Sequence, residues 1–170
     1  MTGRAPIVSS AHLVSERAAE LSEYEFGLIV AGNAFNRWIT RCMAAAGVPD
    51  LSSLDVLVLH GTNHRDRPKR LTDLCFTLNI EDQHLVSYAL KKLEKLGLVD
   101  RRKKGKESLF AASEAGRAAC ARYREVREAC LVETLAAFGE VDRAEIGDVA
   151  RRLRALSGLY DQAARSATSL

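Results

Sequence analysis

Between Asp82 and Leu96 the sequence sets groups that can read base edges on one side of a helix and apolar groups on the other. Leu85, Val86, Ala89, Leu90, Leu93 and Leu96 recur at intervals of three and four, which makes one apolar face. Gln83, His84, Ser87, Tyr88, Lys91 and Lys92 fall opposite, and all can donate hydrogen bonds or carry positive charge. Arg101-Arg102-Lys103-Lys104-Gly105-Lys106 follows directly. A helix with a buried back and a donor-rich front fits a major groove, and adjoining cations fit phosphates. Gln83 can pair bidentately with adenine N6 and N7, His84 can donate to guanine N7, and Ser87 suits several bases. Tyr88 can meet a thymine methyl or a phosphate. Lys91 and Lys92 lie further along, where the backbone runs. Arg101, Arg102, Lys103, Lys104 and Lys106 suit phosphates or minor-groove edges.

Other chemistries have less support. His60 and His64 stand four apart, as paired metal ligands on a helix would, but no acidic or cysteine partner has fitting spacing, so no metal site is expected. The four cysteines, Cys42, Cys75, Cys120 and Cys130, form no CxxC pair, and no neighbouring residue marks any of them as activated. There is no Gly-rich phosphate loop, no nucleophile with an evident base and no paired acids in an apolar setting. The expectation is a protein that is not an enzyme and needs no cofactor.

The charge supports the first reading. Net charge over 170 residues is only +3. From Asn63 to Glu107, however, 12 Lys/Arg face 7 Asp/Glu, a balance of +5, while the remainder holds 13 against 15. Positive charge is gathered where a phosphate-facing surface needs it. Residues 1–10 lack an apolar core and no apolar run is long enough for a membrane helix, so a cytoplasmic protein with reduced thiols is expected.

The elements that must position these residues are mostly helical, since 3 prolines and 11 glycines interrupt a chain that is 47% hydrophobic. The pattern predicts a long helix over 13–46, with a break near Ser22 left open, stopped by Gly47 and Pro49. Leu28, Ala31, Phe35, Trp38, Ile39 and Cys42 make its stripe. A nearly all-apolar helix from Leu51 to about Asn63 is capped by Ser52 or Ser53. A short helix capped by Thr72 runs to Leu78, Asn79 turns the chain, and Asp82 caps the central helix that Gly97 ends. Leu98–Val99 and Ser108–Ala111 form a two-stranded hairpin about Lys104-Gly105-Lys106. Helices from Ser113 to Phe138 and from about Asp142 to Ala164 close the chain. The last sets Ile146, Val149, Leu153, Leu156, Tyr160 and Ala163 in a heptad-like seam. The fold class is thus mainly α with a small β-wing: a winged helix-turn-helix over 51–112, between a helical arm at 13–46 and helices at 113–165. The outer helices carry more apolar face than they can mutually bury, which predicts a homodimer.

Residues 71–116 resemble the MarR family of winged-helix transcription regulators. The resemblance rests on Leu74 and Leu78, Val86-Ser87, Leu93-Glu94, Gly97-Leu98-Val99, Arg101-Arg102 and Ser113-Glu114-Ala115-Gly116. It implies a two-fold dimer placing one reading head per subunit on a pseudo-palindromic operator in double-stranded DNA, and the leading expectation is a sequence-specific transcription regulator acting as a repressor. It also implies an effector site between reading head and dimerisation helices, which Phe35, Trp38, Ile39, Leu57 and His60 could line if they are not plain core. Tyr88 stands where the family commonly has arginine, and Lys103-Lys104-Gly105-Lys106-Glu107 replaces its Asp-x-Arg wing. The alternative is a winged-helix protein-interaction module that does not read DNA sequence.

Overall fold

The computed structural model describes residues 18–137 and 143–170. The chain forms two compact units that divide after Val126. In the first unit, α1 (Ala19–Ala45) leads through a turn to α2 (Ser53–Asn63), a 3-10 turn (His64–Asp66) and β1 (Lys69–Arg70). There follow α3 (Leu71–Leu78), α4 (Gln83–Lys95), β2 (Val99–Lys104), β3 (Glu107–Ala112) and α5 (Glu114–Arg127). The strands form one antiparallel sheet in the order β1-β3-β2.

The core is built where the apolar spacing placed it. Ile39, Cys42 and Met43 of α1, Val56, Val58 and Leu59 of α2, Leu74 of α3, and Val86, Leu90 and Leu93 of α4 are almost wholly buried. Removing a side chain of Leu size from water contributes about 1.5–3 kcal/mol, so these residues dominate the unit's stability. Ser52 caps α2 reciprocally: it accepts from the Asp55 N–H at 3.2 Å, while the Asp55 carboxylate accepts the Ser52 N–H at 2.8 Å. Asp82 caps α4 by accepting the His84 N–H at 2.8 Å. Asn79 takes the left-handed turn, with φ 53°.

Several details differ from expectation. The sheet has a third strand, β1, whose Lys69 and Arg70 pair with Phe110 and Leu109. The expected cap of α3, Thr72, lies inside the helix. The cap position is Arg70, whose N–H donates to Asp73 at 3.0 Å. Leu85 and Leu96 sit at the edges of the α4 stripe and remain half exposed, at 50% and 51%. The break left open near Ser22 does not occur, since α1 runs unbroken from Ala19. The part of that prediction before residue 18, and Phe138 and Asp142, lie outside the described residues.

In the second unit, α5 gives way to a π-turn (Glu128–Val132) and then α6 (Glu133–Ala137), where the sequence pattern predicted one uninterrupted helix. The last helix, α7, spans Arg143–Ala167. Its Ile146, Val149, Leu153 and Leu159 are exposed within the chain.

One close approach makes a sharp test of the first unit. A Cβ on Gly116 would lie 2.1 Å from the Leu98 carbonyl oxygen. Gly116→Ala is therefore expected to destabilise the protein by about 2–3 kcal/mol, because neither backbone can yield easily. Chemical denaturation of the variant beside the native chain measures this directly.

Candidate nucleic-acid interface

The α4 surface is held from both ends. Asp82 fixes its start, and its end closes through Gly97, whose φ of +69° suits a residue without Cβ. Val86, Ala89, Leu90 and Leu93 press one side of the helix into the core. Gln83, His84, Tyr88 and Lys91 are left exposed, and Ser87 is half buried. The Lys91 ammonium lies 5.6 Å from the centre of the Tyr88 ring, one turn away.

Beside α4 the wing presents its inner side. Arg101 lies across Phe110, its guanidinium carbon 5.9 Å from the ring centre. Its Nε and Nη2 donate to the Ser108 hydroxyl at 3.0 and 2.7 Å. Ser87, Leu90 and Lys91 of α4 face Arg101, Ser108 and Phe110 of the wing across a groove of about 360 Å³. Arg70 and Thr72 also line it, with Glu94 and Glu107 as its acids. Arg70 is held between Asp73 and Glu107, each at 3.4 Å. Asp73 is lowered from the usual carboxylate value, first by the Arg70 N–H it accepts and then by the guanidinium. Lys103, Lys104 and Lys106 are exposed around the Gly105 turn.

The structure thus places Gln83, His84, Ser87, Tyr88 and Lys91 on one side of α4, with Arg101 across the groove. Two expected site residues lie away from that side. The Lys92 ammonium turns back to α2, donating to the Asp55 carboxylate at 2.8 Å and the Asp50 carbonyl at 2.7 Å. Asp55 is nearly buried, so this cation balances a carboxylate that water cannot reach freely. Arg102 follows Arg101 in an extended strand and so projects from the opposite side of the wing. Arg70 and Thr72 were missed because their nearness to the groove depends on β1 pairing with β3, which two residues cannot signal.

The candidate effector residues are dispersed. Ile39 is core, Trp38 and Leu57 pack against the core, and Phe35 is 52% exposed. His60 meets the Tyr123 ring edge-on, with centroids 4.6 Å apart. Its Nε2 is buried without a hydrogen-bond partner, and burial lowers its pKa. Desolvation also raises the Cys75 thiol, and pushes Cys120 up to about 11. Neither is poised as a thiolate. No group of three or more potential metal ligands occurs among the described residues, and no described helix is long and apolar enough to cross a membrane.

This combination of a capped helix-turn-helix, an exposed polar helix face and a basic hairpin beside it is the architecture of a winged-helix domain. Residues 51–116 match the winged helix DNA-binding domain family. Over most of its length the chain is similar in fold to solved structures of MarR family transcription regulators. One similar structure is a MarR family regulator from Neisseria meningitidis, at 18% identity and a TM-score of 0.65, covering 84% of this chain and 94% of that one. CouR from Rhodococcus jostii RHA1, solved bound to p-coumaroyl-CoA, is similar at 17% identity and a TM-score of 0.61, covering 78% and 90%. The transcriptional regulator BldR from Sulfolobus solfataricus gives 20% identity and a TM-score of 0.58, covering 88% and 99%. Comparison with curated protein sequences finds no match.

Two of these side chains lend themselves to measurement. Lys92→Ala should cost about 1–2 kcal/mol of stability, because a charged hydrogen bond to a nearly buried carboxylate is removed. It should leave the salt dependence of DNA binding unchanged, which denaturation and salt titration can check together. His60 has a lowered folded pKa, so on acidification the unfolded chain takes up this proton first. Stability should therefore fall as pH drops below about 6.5. His60→Leu should remove part of that slope, read as melting temperature against pH for both proteins.

Proposed function

We propose that this chain is a sequence-specific transcription regulator, acting as a repressor on a pseudo-palindromic operator as a homodimer. The observation that carries the DNA reading is the groove between α4 and the wing, where Ser87 and Lys91 face Arg101. Exposed donors on α4 read base edges in the major groove, while Arg101 and the lysines about Gly105 meet backbone or minor groove. Lys92 is left out of the reading set, because Asp55 holds it.

The dimer rests on apolar surface that each unit leaves uncovered. In the first unit, Ile29, Val30 and Phe35 of α1 are about half exposed. In the second, Val149 is 55% and Leu159 65% exposed. A second copy would cover these faces and set two reading heads about one helical turn of DNA apart. A small-molecule effector near Trp38, Leu57 and His60 would then act by changing that spacing. CouR carries its acyl-CoA ligand within a similar fold.

The test divides the labour. Lys103→Ala with Lys104→Ala removes four lysines from the dimer, so it should weaken binding to every duplex and reduce the salt slope by up to about 3.6, near 0.9 for each phosphate no longer neutralised. Gln83→Ala should instead relax preference at one base pair, with the slope preserved. Equal effects from both, or binding absent even at low salt, would favour a protein-interaction module. Sedimentation at micromolar concentration checks the dimer, and a monomer there would remove the symmetric operator.

A further inference from the structure

The side of the wing turned away from α4 carries a second charged feature. Strand alternation places Asp100 and Arg102 there, opposite Ala111 and Leu109. A cavity of about 160 Å³ opens among Thr62, Asn63, Arg67, Asp100, Arg102 and Arg117. Three arginines and one aspartate line it, and among the described residues none of the three arginines forms an ion pair within 4 Å, although Arg67 lies near enough to Asp73 to lower its pKa. Arg117 is anchored without being neutralised: its Nη1 donates to the Ala112 carbonyl at 2.7 Å. Asn63 adds a carboxamide to the rim.

Gathered guanidiniums repel one another, and an oxyanion relieves that repulsion while accepting their paired N–H groups. The cavity has room for a tetrahedral oxyanion. We propose that this cavity is a binding site for a phosphate-class oxyanion. The phosphate is either that of a free phosphorylated molecule or a phosphate of the DNA backbone. Only the backbone source rests on the DNA-binding reading.

The experiment titrates the full chain with inorganic phosphate against chloride at constant ionic strength, following amide and arginine Nε–H resonances. Saturable shifts at Asn63, Arg102 and Arg117 are expected. Arg67→Gln should weaken them about tenfold or more, since a charge-assisted pair is removed. Asp100→Asn should strengthen them, because the cavity's carboxylate is gone. That gain cannot come from misfolding, and melting without phosphate checks both variants. A salt titration of duplex binding then separates the sources. A slope about 2 smaller in Arg67→Gln, about 0.9 for the site in each subunit of the dimer, assigns the backbone phosphate, and an unchanged slope beside saturable phosphate binding assigns a free oxyanion. Phosphate shifts indifferent to both variants, or no shifts with an unchanged slope, overturn the proposal. A protein that binds no DNA at all would defeat the regulator reading and leave the phosphate titration to decide this one.

Discussion

The peptide at Gly97–Leu98 is where the reading helix, the wing and α5 are tied together. The Leu98 N–H donates to the Leu93 carbonyl at 2.9 Å, closing the end of α4. The Leu98 carbonyl accepts the Ser113 N–H at 3.0 Å, fixing the base of the hairpin. The Ser113 hydroxyl donates to the Gly97 carbonyl at 2.6 Å and accepts the Gly116 N–H at 3.0 Å, capping α5 on the same few atoms. Gly116 lets α5 come this close. The angle between recognition helix and wing is thus set by buried backbone groups that each need a partner, rather than by the exposed cations that would meet DNA.

With that frame fixed by uncharged groups, the positive side chains can be sorted by what holds them. Lys69 donates from the base of β1 to the His64 and Arg67 carbonyls and is itself buried. Lys92 serves Asp55, and Arg70 is balanced by Asp73 and Glu107. These groups steady the head. Arg101 is braced by a hydroxyl and a ring, so its guanidinium is positioned while keeping its charge. A braced cation loses less side-chain entropy on meeting a phosphate, which favours affinity without any further hydrogen bond. Net charge alone does not separate structural from available cations; their partners do.

Much of this was legible in the sequence because it is periodic. The α4 stripe, the Asp82 cap, the Asn79 turn, the Gly97 stop and the nearly apolar α2 all follow from local rules. What stayed hidden depends on pairing across the chain. Lys69-Arg70 gives no strand signal, being two charged residues that become β1 only because β3 is there to bond them. Lys92 sits at a polar helical position beside Lys91, and nothing local distinguishes them. Asp55, 37 residues earlier, draws Lys92 away. Arg102 is set apart from Arg101 by strand alternation, and the cavity it lines with Arg67 and Arg117 exists only in the folded sheet. The π-turn at Glu128–Val132 has no sequence signature in its Glu-Ala-Cys-Leu-Val run.

If α4 and the wing read a particular DNA sequence from a symmetric pair of heads, the intact protein must leave a symmetric mark on the duplexes it retains. Selection of bound duplexes from a random pool tests this most directly. The expected result is enrichment of an inverted repeat whose half-site centres lie about 10 base pairs apart, with the strongest base preferences inside each half-site. A pool that shows no enrichment after repeated rounds at moderate salt, or that yields only a single unsymmetric half-site, would contradict it.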